Sequence, residues 1–337
     1  MRERQPDSIR FRRVLRLAAV GVLSALVALD FAMAWLFLDP LLRPGCRVPE
    51  RIAAFPDPQP VELHTEDELV LEGWYYPSRN GRAVLALGGV GGSLGRTQPP
   101  VEFLLEAGYG VLQIGNRACA GAPVALETGA LVTLGAGAPV TLGTGAPVTL
   151  GAGAPVMLGT GALVTLGALE VLDAEAGLRF LLSRPEIEPG GIALYGFSMG
   201  GAAAIQTAAR QPAVAAVIAE GGYYNLGDDI VERGSERSLP EFVFLYTLAG
   251  VYRLRTGVDP WEVSPIDVIG AISPRPVLLI YGETEAESGR AALQFAAADE
   301  PKELWIVPGG GHGTNHLVGG MEYEEKVLEF LARVLGQ

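Results

Sequence analysis

Cysteine, histidine and positive charge are scarce in this chain: its 337 residues hold two Cys, three His, and 25 Lys and Arg against 38 Asp and Glu. Cys46 and Cys119 allow one disulfide in an exported protein but no disulfide framework. With so few histidines there is no Cys/His cluster at metal-ligand spacing, which excludes a zinc-type site read from sequence. The net charge of −13 is unevenly spread. Residues 1–51 carry nine Arg and five acids, net +4, leaving −17 on residues 52–337. A domain of that sign repels phosphate backbones, so nucleic acid is excluded as a partner, and so is a basic membrane-binding face on the domain. The glycine-rich stretch 88–93 has no Lys-Ser/Thr ending and no Gly-x-Gly-x-x-Gly leading into a helix, which excludes a phosphate cradle there.

Apolar residues, by contrast, make up 49% of the chain, ample for a large buried core. Arg2, Arg4, Arg10, Arg12, Arg13 and Arg16 form a basic tail over 1–16, followed by an apolar run over 17–38. That run is long enough to cross a hydrocarbon layer of about 30 Å as a helix. The arginine bias predicts a single-pass anchor with its N-terminus in the cytoplasm and the remaining chain outside. Asp30 opposes this reading, since a carboxylate near mid-span costs about 2.5–3.5 kcal/mol, offset by the surrounding Leu, Val, Phe and Trp. The rival reading is a signal peptide cleaved after Ala34, at Ala32-Met33-Ala34, which would release a secreted protein. The continued apolar run Trp35-Leu36-Phe37-Leu38 favours the anchor; Pro40, Pro44 and Gly45 are expected to end the helix. Residues 39–60 read as a Pro-rich linker.

Beyond the linker, short apolar strands alternate with helical patterns. Strands are expected over 61–64, 69–76, 83–87, 111–114, 192–196, 214–219, 277–281 and 303–307, and helices over 102–107, 169–182, 202–210 and 323–335, with helical excursions in 228–256. Such alternation implies a mainly parallel sheet covered on both faces. His64 reads as a strand-end surface residue. One stretch breaks the pattern: six near-identical units of eight residues fill 121–168, from Gly121-Ala122-Pro123-Val124 to Val164-Thr165-Leu166-Gly167. Their prolines forbid a continuous helix and their glycines weaken strands. The block reads as a recent tandem insertion, largely disordered or loosely extended, with a lid or adhesive role as the alternative. As a strand-to-helix loop it would sit at the carboxyl edge of the sheet, where sites form.

Chemistry concentrates in the run Gly196-Phe197-Ser198-Met199-Gly200. A strand before this Gly-x-Ser-x-Gly and a small-residue helix after it mark a sharp turn that lifts the Ser198 hydroxyl clear of both elements. A serine hydroxyl needs a base within hydrogen-bond reach and an acid to orient that base. Two histidines follow Ser198. His312, in the glycine loop after the 303–307 strand, is the expected base, and His316 reads as solvent-facing or substrate-edge. The acid should follow the 277–281 strand, where Glu283, Glu285 and Glu287 are all available. Amide donors for a tetrahedral oxyanion are expected from Met199, directly after the serine, and from Val90 or Gly89 in the loop after the 83–87 strand.

Over Leu87–Ser93, Gly108–Gly121, Ala168–Gly201, Ser273–Glu285 and Trp305–Gly313 the chain resembles the α/β-hydrolase superfamily, close to its serine-aminopeptidase-like and dienelactone-hydrolase-like branches. The resemblance spans nearly all of 61–337 apart from the repeat. It implies an α/β-hydrolase fold with a mostly parallel eight-stranded sheet, helices on both faces and a small helical cap. It also implies a Ser/acid/His triad and hydrolysis of an ester, thioester or amide bond in a small-molecule or peptide substrate, with no cofactor and no metal. The family's acid position, three residues after the strand-end glycine, falls on Glu285. The chain departs from the pattern in having Gly88-Gly89 for His-Gly, Gly115-Asn116-Arg117-Ala118 for Asp-x-Arg-Gly, and Glu for Asp as the acid. A cap would come from 223–262, whose Tyr223, Tyr224, Phe242, Phe244, Tyr246, Tyr252 and Trp261 suit an apolar acyl or side-chain group. The alternative from a different class is an inactive hydrolase-fold binding or scaffold module at the cell envelope, its repeat engaging the partner.

Overall fold

The computed structural model describes residues 7–44, 49, 52, 55, 58–90, 100–120, 140–141, 147–148, 162–232 and 238–336. They belong to two units, one of 1–41 with 225–263, the other of 42–224 with 264–337.

The larger unit is built on strands β1 (Gln59–His64), β2 (Val70–Tyr76), β3 (Ala83–Leu87), β4 (Gly110–Ile114), β7 (Ile192–Phe197), β8 (Ala216–Glu220), β9 (Val277–Gly282) and β10 (Lys302–Val307), with β5 (Val140–Thr141) and β6 (Pro147–Val148) apart. Eight of them form one sheet in the order β1-β2-β4-β3-β7-β8-β9-β10. β1/β2 and β2/β4 pair antiparallel and every later pair is parallel. The parallel strands are apolar without alternation, β3, β4, β7, β8 and β9 being buried at every residue, because both faces are covered.

Helices α2 (Glu102–Glu106), α3 (Glu170–Leu182), α4 (Met199–Arg210), α7 (Pro265–Val268), α8 (Ala291–Ala297) and α9 (Asn315–Leu335) cover the faces. On one face Leu85, Leu112, Leu194, Val217 and Leu279 pack with Leu178 and Leu181 of α3 and Ile205 of α4. On the other, Val84, Val111, Tyr195, Ile218 and Ile280 pack with Phe103 and Leu104 of α2 and Val327, Phe330 and Leu331 of α9. Each fully buried Leu, Val or Phe contributes about 1.5–3 kcal/mol.

Three differences from the sequence reading have local causes. Helix α9 starts at Asn315, eight residues ahead of the expected 323, because Gly319 and Gly320 conceal its first turns; the helix kinks at Gly320, φ 51°. His316 therefore lies on a helix and is packed, not solvent-facing. Its ring stacks on Phe103, meets Tyr323 edge-on, and Nε2 lies 2.9 Å from Glu324 Oε1. The short α8 had no pattern long enough to announce it.

Most of 121–168 lies outside the described residues, except that β5 and β6 pair antiparallel across consecutive units, Val140 opposite Val148. The last unit is not a passenger. Val164, Thr165 and Leu166 are buried, and the Thr165 hydroxyl accepts a hydrogen bond from Leu169 N–H at 2.7 Å. Glu170 reaches back to accept from Thr165 N–H, the Thr165 hydroxyl and Gly167 N–H at 2.7–2.8 Å. These bonds fasten the last repeat unit to the first residue of α3. Gly167 is obligatory, since at φ 101° a Cβ would fall 2.4 Å from the Tyr223 hydroxyl.

The smaller unit contains α1 (Asp7–Leu42), α5 (Leu226–Glu232) and α6 (Leu239–Thr256). Residues 11–42 of α1 are long and apolar enough to cross a membrane. The helix ends at Leu42, within the expected stop formed by Pro40, Pro44 and Gly45, with Pro40 in its last turn. The excursion expected as a cap thus groups with the apolar helix, through α5 and α6.

Candidate active site

Between β7 and α4 the chain reverses at Ser198, whose φ of 56° and ψ of −119° lie in a region that non-glycine residues rarely occupy. Two glycines make this turn possible. A Cβ on Gly196 would lie 2.0 Å from the Gly200 carbonyl oxygen, and one on Gly200 would lie 2.1 Å from that of Leu87. The turn is pinned by Ser198 N–H donating to the Glu220 carbonyl at the end of β8, 2.7 Å. Met199 is the first residue of α4, so its N–H is one of the donors a helix start leaves without an intrahelical partner.

The structure brings Ser198, His312 and Glu285 together from three loops beyond β7, β10 and β9. His312 Nε2 lies 3.1 Å from Ser198 Oγ, and His312 Nδ1 lies 2.7 Å from Glu285 Oε2. A carboxylate only accepts, so Nδ1 carries the proton and Nε2 faces the hydroxyl as an acceptor. Burial pushes the Glu285 carboxyl up. Hydrogen bonds from His312, from Gly282 N–H at 2.9 Å and from Asn315 Nδ2 at 3.2 Å outweigh it and hold the group below its ordinary value. Glu283 is used otherwise, accepting from Gly309 N–H at 2.8 Å and so bracing the histidine loop. Glu287 is exposed and outside this chain of hydrogen bonds.

On the other side of the serine, Gly89 is buried, and a Cβ there would come within 3.2 Å of Ser198 Cβ. A side chain there would crowd the serine turn. Val90 follows as a partly buried residue. Gly88, Gly89, Met199 and Gly200 line a recess together with Asn116, Glu170 and Asp173.

Four residues passed over in the sequence reading shape the site. Gly221 has φ 59°, and a Cβ there would lie 3.1 Å from both His312 Nδ1 and Glu285 Oε2, so the histidine–carboxylate pair is seated on bare backbone. Asn315 stands beside two acids, Glu285 and Glu220. Glu220 is 3% exposed and accepts from Tyr323 at 2.6 Å and from Tyr195 at 3.3 Å; the two tyrosine hydroxyls also bond to each other. Burial raises Glu220 against the pull of the Tyr323, Asn315 and Tyr195 hydrogen bonds, and Glu285 raises it further. Arg117, in the stretch matching Asp-x-Arg-Gly, is 1% exposed and grips Asp173 in a fork at 2.7 and 3.2 Å while reaching Asp67 at 3.1 Å. Burial nevertheless pushes Asp173 up to about 7. This cluster ties the loop after β4 to α3 behind the recess. Cys119, in the same loop, is disulfide-bonded.

Residues 160–234, which include the last repeat unit, the serine turn and α5, match the dienelactone hydrolase family. An uncharacterised protein of Mycobacterium tuberculosis is 26% identical over 298 residues, covering 86% of this chain and 85% of that one. The Pyrococcus furiosus esterase Pf2001 superposes with a TM-score of 0.57 at 22% identity, over 88% of this chain and 100% of that one. The α/β hydrolase GrgF of Penicillium sp. sh18 gives 0.55 at 18% identity, over 83% and 100%.

Proposed function

From an α/β-hydrolase fold whose serine turn is dienelactone hydrolase-like, we propose that the chain is a serine hydrolase working through an acyl-enzyme on Ser198. The hydrogen-bonded series Ser198–His312–Glu285 on a positive-φ turn carries this reading. His312 takes the hydroxyl proton through Nε2 as Oγ attacks an acyl carbonyl, and Glu285 stabilises the resulting imidazolium. The amides of Met199 and of Val90 or Gly89 hold the oxyanion. His312 then returns its proton to the leaving group and activates the water that frees the acid. None of these steps needs a cofactor. The substrate is an ester, thioester or amide. An activated ester is the first to try, because the similar Pyrococcus protein is an esterase. Helix α1 serves as the membrane anchor, with its N-terminus in the cytoplasm and the hydrolase unit outside.

Labelling of the full chain with a fluorophosphonate, followed by peptide mass spectrometry, tests the mechanism. An adduct on Ser198, lost on heat denaturation and in Ser198→Ala, is expected. A folded chain that takes no label would sink the reading and bring the binding-module alternative forward.

A further inference from the structure

Helix α6 carries an apolar stripe that the described residues of its unit leave about half exposed or more. Leu239, Phe242, Val243 and Tyr246, at i, i+3, i+4 and i+7, are 76, 47, 47 and 46% exposed. Such a stripe belongs against an apolar phase. The contacts between α6 and α1 identify that phase. Thr247 donates to the Asp30 carboxylate, Phe244 meets Phe37 edge-on, and Arg255 lies over the Trp35 ring while its guanidinium pairs with Asp39 at 2.6 Å.

Measured along α1 from Arg16, the last of the basic tail, a hydrocarbon layer of about 30 Å ends some 20 residues on, near Leu36. Trp35 falls at that boundary, as interfacial tryptophans do, and Asp39 lies just beyond it. Asp30 lies about 9 Å inside. The residues of α1 that α6 touches therefore span the edge of the membrane, from headgroup level at Asp39 to acyl-chain level at Asp30. The ring of Tyr246 packs on Phe242 and faces Trp261, with centroids 4.6 and 6.4 Å apart, an aromatic group of the kind that collects at such a boundary.

We propose that α6 is a membrane-seated helix, its Leu239–Phe242–Val243–Tyr246 stripe immersed in lipid acyl chains of the leaflet from which the C-terminal end of α1 emerges. Thr247 answers the carboxylate that made Asp30 awkward in a span, and the Arg255–Asp39 pair marks headgroup depth. The chain then holds the membrane by two helices, one crossing it and one dipping into a single leaflet beside it. This inference rests on α1 as a span and is independent of the hydrolase chemistry.

The test uses the full chain reconstituted in phosphatidylcholine vesicles containing radiolabelled lipid, with photoreactive benzoylphenylalanine replacing Val243 or, in a second variant, Leu239. The same group at Val20 is the control within the span, and at exposed Glu329 of α9 the control outside lipid. Lipid capture at 239 and 243 within about twofold of that at Val20, and at least fivefold above Glu329, is expected. Capture at the Glu329 level while Val20 captures lipid overturns the seating of α6 and leaves the anchor standing. Chain–chain adducts at 243 in place of lipid adducts overturn it in favour of a second copy. Absence of capture at Val20 removes the anchor and the inference together.

Discussion

Glu285 and Glu283 are two residues apart, yet only one oxygen pair faces the histidine. Glu285→Gln should therefore lower kcat/KM about 10⁴-fold, as loss of the orienting acid does. Glu283→Gln, which loosens only the Gly309 contact, should leave activity within about threefold; steady-state assays on one ester separate the two. Asn315 helps to hold Glu285 below the ordinary carboxylate value. Asn315→Leu removes that donor, so the Glu285 value rises and the midpoint of acid unfolding, followed by circular dichroism, moves to higher pH. A depressed carboxylate contributes stability that is present above its ordinary value and lost as pH falls through its folded value. Ser198, His312 and Glu285 were legible because strand ends and glycines flag them in the sequence. Gly221, Asn315 and Glu220 were not, because the strand order β7-β8-β9 makes them neighbours and nothing local to them does.

Elements are fixed by a few contacts that spacing cannot display. The β7–α4 turn survives on two glycines, and Gly200→Ala should destabilise the fold by more than about 3 kcal/mol in denaturant titration, since its Cβ would overlap the Leu87 carbonyl. Arg117 holds the loop after β4 against α3. Arg117→Met strands buried acids and should cost about 3–5 kcal/mol. Asp173 carries the opposite sign to Glu285. Its value is raised to about 7, so its contribution to stability declines as pH rises from the ordinary carboxylate value to about 7. Asp173→Asn should flatten that part of a melting-temperature profile against pH. Helices α3 and α4 were readable from apolar period and small residues. The tie between the last repeat unit and α3 was not, because Thr165 and Gly167 were hidden in a repeat whose other copies look the same.

At the scale of the whole chain, sheet class, strand number and the apolar N-terminal helix all follow from patterning, whereas the grouping of 225–263 with that helix does not, since no periodicity reports which unit an excursion joins. Deleting residues 129–160 leaves the segment 161–168 in place and should alter neither melting temperature nor fluorophosphonate labelling. Extending the deletion through 168 removes these bonds to Glu170 and the buried Val164 and Leu166, and should lower the melting temperature. The unit 129–136 is identical to 161–168, and Val-Thr-Leu-Gly recurs at 132–135, 140–143 and 148–151. Gain or loss of whole units preserves the reading frame, and a unit with the residues that hold Glu170 can end the array. Copy number can thus drift by replication slippage while the junction with the enzyme stays the same, a fold buffered against the mutability of its own gene.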